Sequence, residues 1–299
     1  MTASSQLPVI AAAVGSVFGG TGAVAARFLA DEAGPATVSL LRYLGLLALL
    51  LVWLLFSRSR LPRIPARDLP ALIAVGVLQF GLFGWFFSAG FTYVGAARGA
   101  IVLSTVPIQT LVLALLVGRE RFSMRKLAGM ALGVAGVAVA LGSDAATAGP
   151  DAWIGDLLLF AAAFCTALNS VMVGPYLGRY PILAVSLIAT GVGCVMLAGA
   201  AIWSGEAGDI GRLSATSWAV AAYFAAGPTC FGFLAWTWAL SRVAPTRVTI
   251  TIVLNPIAAA FAAALVLGEA IDLWLVVGLV LVAAAIVMVN WPSGARDDA

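Results

Sequence analysis

Ten apolar runs of about twenty residues each, joined by short connectors, leave this 299-residue sequence very little chain for anything else. Crossing roughly 30 Å of hydrocarbon takes about 20 helical residues, whereas a strand buried in a soluble core needs only about 4–8. Inside lipid the backbone must satisfy its own hydrogen bonds, which an α-helix does within one segment. The expected fold is therefore all-α: a polytopic membrane protein whose spans fall at 8–29, 36–57, 71–93, 97–117, 125–143, 153–175, 181–203, 216–240, 247–267 and 272–291. Composition agrees, with 63% hydrophobic and 10% charged residues against the roughly 45–50% and about 25% of soluble domains. The first run has no basic segment ahead of it and continues to Leu29, so it is read as a retained helix rather than a cleaved signal.

Basic residues fix the expected orientation. With both termini cytoplasmic, Arg58, Arg60, Arg63, Arg67, Arg119, Arg121, Arg125, Lys126, Arg179, Arg242, Arg247 and Arg296 fall inside, and only Arg27, Arg98 and Arg212 outside. Cytoplasmic loops carry such an excess, and the reverse topology would invert it. The same distribution explains the net charge of +3 without a nucleic-acid partner, because no single basic face forms. Histidine is absent and Cys165, Cys194 and Cys230 lie within spans. The usual metal sites, histidine-based catalysis and disulfide frameworks are thereby excluded, and no cofactor is expected. A membrane-embedded enzyme would need a nucleophile, acid/base pair or metal ligands at depth, and no acid lies near the midplane.

The chain also repeats itself. Displaced by 149 residues, Val94, Arg98, Ile101, Pro107, Ile108, Glu120 and Gly129 align without a gap on Val243, Arg247, Ile250, Pro256, Ile257, Glu269 and Gly278. Apolar composition alone does not place Pro, Glu and Arg at one fixed offset. The expected units are residues 1–146 and 147–299, each with five spans. An odd number of spans turns the second unit upside down relative to the first. Inverted repeats place a substrate site near the midplane, where the repeats meet, and suit alternating access.

With these paired halves, with Pro107 followed by Gly118-Arg119-Glu120-Arg121, with Pro256 followed by Gly268-Glu269, and with Arg42 shortly after Pro35, the chain resembles the drug/metabolite transporter superfamily. Within it the pattern is most similar to the EamA-type bacterial amino-acid and metabolite exporters, those of aromatic and other neutral amino acids in particular. The resemblance implies a small-molecule substrate, a bacterial inner membrane, and a cavity lined by helices 1, 3, 4, 6, 8 and 9. A monomer is compatible with it.

Individual residues refine the expectation. Gly15 to Thr21 has the outline of a phosphate loop but lacks its lysine, so Gly15 and Gly19, like Gly129 and Gly133, read as close helix-packing positions. Pro107 and Pro256 fall near the centres of spans 4 and 9, where each is expected to bend its helix. Thr105 and Gln109 flank the first; Thr251 and Asn255 precede the second, and both pairs are expected on cavity walls. Gln79, Phe83 and Phe86 share one face of helix 3, and Thr229, Phe233 and Trp236 one face of helix 8; Asn169 adds an amide on helix 6. Each could equally pack between helices, but together they have the composition of a small-molecule pocket, apolar with a few polar anchors. Arg42, about two turns from the end of span 2, is expected to pair structurally with Asp156 on span 6, and Glu120 and Glu269 to shape symmetric turns. Such a chain reads as a secondary exporter of neutral, partly apolar metabolites. The competing reading, a proton-coupled multidrug or quaternary-cation exporter, would want a membrane-embedded carboxylate in the pathway.

Overall fold

A computed structural model describes residues 3–57, 61–95, 99, 102–119, 123–140, 150–267 and 273–290. A helical segment occupies each expected span, and the described residues contain no strand. These helices are α1 (Ala3–Leu29), α2 (Pro35–Ser57), α3 (Leu69–Gly76, a π-helical turn Val77–Leu82, then Phe83–Tyr93), α4 (Val106–Leu116) and α5 (Met124–Ala140). The second half gives α6 (Ala152–Leu177), α7 (Ile182–Ser204), α8 (Ala215–Phe224, a π-helical turn Ala225–Phe231, then Gly232–Leu240), α9 (Pro245–Thr249, a 3₁₀ stretch Ile250–Leu254, then Asn255–Leu267) and α10 (Leu273–Asn290). Among the described residues seven helices are long and apolar enough to span a membrane unaided, and α4 and α10 supply shorter apolar stretches. Side chains such as Phe56, Val195 and Trp203 stand almost fully exposed, as suits an outer surface solvated by lipid.

The packing obeys the repeat. The first helix of each half lies on the third and fourth helices of the other: α1 on α8 and α9, α6 on α3 and α4. The second helices, α2 and α7, pack on each other, and so do the last, α5 and α10. Exchanging the halves therefore maps the contact pattern onto itself, which is the signature of a pseudo-two-fold axis between two repeats. Glycine makes the tightest crossing possible. A Cβ on Gly15 would lie 2.9 Å from the Gly232 carbonyl oxygen, and one on Gly232 3.1 Å from the Gly15 oxygen.

Both third helices widen into a π turn at mid-length, and both fourth helices are irregular just before their prolines. The expected mid-helix bends take a different form. Pro107 and Pro256 stand in the first turn of the helical segments Val106–Leu116 and Asn255–Leu267, each preceded by a turn or 3₁₀ stretch. A proline's missing N–H costs nothing in a first helical turn, so the break settles ahead of it instead of through it. The Ile252 carbonyl, which would accept from residue 256 in a regular helix, accepts instead from the Asn255 amide, a 3₁₀-type bond.

Two latches close the ends. At one face three carboxylates join the α1–α2 connector to the α7–α8 connector. Gly205, at φ 79°, ends α7 in the left-handed conformation glycine adopts freely and turns the chain into a 3₁₀ segment, Glu206–Arg212. Glu206 then accepts the Ala36 and Thr37 amides at 2.7 and 3.3 Å, and Asp209 accepts the Gly34 amide at 3.0 Å, so the orphan donors at the start of α2 are capped from the other repeat. In return Glu32 accepts the amide and hydroxyl of Ser214, the residue capping α8, at 3.0 and 3.1 Å. At the opposite face Tyr180 donates its hydroxyl to Asp68, the residue preceding α3, and Arg179 stands 3.9 Å from the same carboxylate. Glu32 and Tyr180 each lie three residues beyond the first helix of their repeat, and Ser214 and Asp68 each precede the third helix of the other. The two latches are thus one device placed twice by the repeat.

Candidate functional site

Where α1, α2, α3, α4, α6, α8 and α9 converge, they line a cavity of about 130 Å³. Small residues open it: Gly15, Ser16 and Gly19 on α1 leave the volume that larger side chains would fill. The π turns orient its walls. On α3 the widened turn puts both Gln79 and Phe80 on the cavity side, and the face continues through Phe83 and Phe87. On α8 the equivalent turn presents Pro228 and Thr229, followed by Phe233 and Trp236. Such turns recur at functional sites because one added residue re-aims the side chains that follow. Asn255, at the start of the regular part of α9, and Thr166 on α6 complete the polar lining.

Of the residues singled out in the sequence, Gln79, Phe83, Thr229, Phe233, Trp236 and Asn255 line this cavity. Asn169 does not. It lines an adjoining gap of about 10 Å³, room for a single water, which shares Gln79, Phe80 and Phe233 with the main cavity. This constriction shares Leu240 with an open vestibule of about 420 Å³ at the face of the Tyr180–Asp68 latch, bordered by Arg119, Arg242 and Pro245. Phe86 instead stacks edge-on with Trp85 at 5.5 Å and packs against the core, because the face past the π turn runs through Phe87. Thr105 and Gln109 bond each other at 3.0 Å away from the cavity. Thr251 is buried and shares a 2.9 Å hydrogen bond with Ser16, tying α9 to α1 behind the wall. Glu120 and Glu269 lie outside the described residues.

Arg42 departs most from expectation. It does not pair with Asp156, which belongs to α6 and lies off the cavity wall, whereas α2 packs on α3, α7 and the π turn of α8. Its Nε donates to Thr229 Oγ1 at 2.9 Å, and its guanidinium carbon stands 4.6 Å from the Phe224 ring centre, 4.7 Å from Tyr43, 5.3 Å from Phe87 and 5.7 Å from Phe83. Rings attract a cation through their faces, which steadies the side chain without neutralising it. Among the described residues no carboxylate forms an ion pair with Arg42. Its Nη1 is enclosed without an acceptor, and the amide oxygens Gln79 Oε1 and Asn255 Oδ1 likewise have no partner. A lone polar residue in a hydrophobic span could be read as costly, but nothing in the sequence said that it turns inward.

One group in each latch has a shifted pKa. The Ser214 backbone amide, then the Ser217 and Ser214 hydroxyls, hold the Glu32 carboxyl below its ordinary value, so its capping bonds persist at neutral pH and are lost as pH falls through that lowered value. Donation to Asp68 pushes the Tyr180 hydroxyl above the ordinary tyrosine value; that bond is kept at neutral pH and lost only as pH rises through the raised value.

A helical membrane protein of two repeats, with a small lined cavity between them and a latch at either end, has the build of a transporter. The chain belongs to the EamA-like transporter family of the drug/metabolite transporter superfamily; the family's sequence pattern matches residues 6–142 and again 153–291. It is 27% identical over 232 residues to a probable terminal-alkyne amino-acid exporter of Streptantibioticus cattleyicolor, covering 77% of this chain and 75% of that protein. An uncharacterized transporter of Bacillus subtilis, YyaM, is 21% identical over 89% of this chain and 88% of its own length. A crystal structure of another protein superposes with a TM-score of 0.75 at 17% identity over 97% of each chain, a likeness of fold.

Proposed function

We propose that this transporter exports small neutral, partly apolar metabolites, amino acids foremost and aromatic ones among them, by alternating access across a bacterial inner membrane, with both termini cytoplasmic. The observation that carries this reading is a cavity bounded by both repeats and latched at both faces, so that opening one latch exposes it to one side only. The excess of basic residues makes the vestibule face cytoplasmic, and the vestibule and constriction then form the entry from the metabolite-rich side. The named relative supports amino acids. A quaternary cation suits the site poorly, because Arg42 already places a positive charge on the cavity wall.

Transport is expected to be uniport. A proton-coupled carrier needs a titratable group exposed alternately to each side of the pathway; the sequence has no His, and among the described residues the wall of this cavity holds no Asp or Glu. Purified protein in liposomes, screened with labelled amino acids, should take them up along their own gradients and respond little to an imposed pH gradient. Accumulation driven by a pH gradient alone would overturn uniport, and Asp156→Asn then tests whether Asp156 couples it. Uptake of no amino acid would overturn the substrate class.

A further inference from the structure

We propose that the cavity is a zwitterion site in which Arg42 anchors a carboxylate while the amide oxygens of Gln79 and Asn255 receive the ammonium group of the same α-amino acid. This rests on the amino-acid reading above and says which atoms would select the substrate.

A guanidinium held inside a membrane protein requires a counter-charge. One hydroxyl and four aromatic rings give Arg42 position and partial compensation, and among the described residues it meets no anion. It cannot reach the membrane surface as long basic side chains do near helix ends, because its guanidinium is turned inward against Thr229 and Phe224. The anion therefore has to arrive with the ligand.

The remaining polar groups decide what else that ligand carries. Gln79 Oε1 and Asn255 Oδ1 are buried acceptors without donors, on walls belonging to different repeats. A plain carboxylate would leave both unpaired, which is costly in a desolvated site. An amine lacking a carboxylate would face the Arg42 charge with nothing to offset it. A phosphate calls for several cations, and among the described residues Arg42 is the only charged one on the cavity wall. The Tyr43 and Thr166 hydroxyls, also without partners on this wall, can donate or accept, whereas the one cation and the two amide oxygens complement a carboxylate and an ammonium on one molecule. Phe80, Phe233 and Trp236 are left to receive the side chain. At about 130 Å³ the space resembles the roughly 150 Å³ apolar cavity that admits benzene, so the zwitterion head and a small side chain fill it, and a ring requires the cavity to widen.

The test uses purified full-length protein in liposomes with labelled L-leucine and L-phenylalanine, competed by the corresponding amides, decarboxylated amines and 2-oxo acids. For the native protein each analogue should compete at least tenfold more weakly than the amino acid. Arg42→Gln should lower amino-acid uptake at least tenfold and abolish the discrimination against amides; Arg42→Lys should retain part of both. Gln79→Leu and Asn255→Leu should weaken the amino acid and improve the 2-oxo acid as a competitor. Thermal stabilisation of detergent-purified protein by the same compounds supplies a readout independent of transport, and Arg42→Lys keeps the test open if Arg42→Gln fails to fold. Amides and amino acids competing equally would overturn the anchor and leave amino-acid export standing. Stabilisation by amino acids over amides without uptake would keep the anchor and reject export. Neither stabilisation nor uptake would reject both.

Discussion

Pro175 cannot donate the amide that the Val171 carbonyl would accept one turn earlier in α6, and Arg119, from the end of α4, donates to that carbonyl instead. The two residues are a matched pair, so their substitutions should not add. Arg119→Ala should cost about 1–3 kcal/mol, the penalty for leaving a buried acceptor unpaired. In a Pro175→Ala background, which restores the helical donor, the same change should be nearly silent; thermal unfolding of the four proteins checks the cycle, and additive losses would refute the pairing. Glycines give a second contrast. A Cβ on Gly20 would overlap the Asn255 backbone carbonyl, which cannot move aside, whereas one on Gly199 meets nothing within 4 Å. Gly20→Ala should destabilise by about 1–3 kcal/mol through overpacking of α1 against α9. Gly199→Ala should be neutral or stabilise by up to about 1 kcal/mol through helix propensity. Neither distinction is visible in the sequence, where both are glycines in apolar helices.

Latch residues act on elements rather than on substrate. If the caps of α2 and α8 must part for one face to open, fixing their connectors together should stop transport without touching the cavity. A Cβ built on Gly34 would overlap the Glu206 side chain, which brings the two positions within reach of a disulfide, whose Cβ atoms stand roughly 3.5–4.5 Å apart. In a protein whose three native cysteines are first replaced, Gly34→Cys with Glu206→Cys should lose transport at least tenfold on oxidation and regain it on reduction. Transport unaffected by the bridge would show that this face opens elsewhere. Tyr180→Phe removes the opposite latch's hydrogen bond while keeping the ring, and should shift the protein toward opening at the vestibule face, read as faster labelling of Asn169→Cys by a small membrane-impermeant thiol reagent. The elements themselves were legible, since hydropathy and length marked every span; the latches were not, because each joins residues more than a hundred positions apart.

For the molecule as a whole, the inverted arrangement requires the α2–α3 connector and the α7–α8 connector to emerge on opposite sides. Single cysteines at the exposed positions Ala66 and Gly208 in the cysteine-free protein should therefore react from opposite faces, Ala66 from the cytoplasm. Labelling from the same side would sink the topology and the inverted repeat together. The sequence by itself determined the membrane fold, the two repeats and a shortlist of amides and aromatics, because hydropathy and repeated Pro and Gly positions are properties of the chain in one dimension. It could not tell Phe86 from Phe87, since a π turn shifts the register of everything after it, nor see that Thr251 binds Ser16 behind the cavity wall. Only the tertiary structure decided the direction of Arg42. Asp156 was the partner nearest in expected depth, but helix packing put Thr229 and four aromatic rings around the guanidinium instead. The partner of a buried charge is set by which helices touch, and that is a property of the assembled bundle.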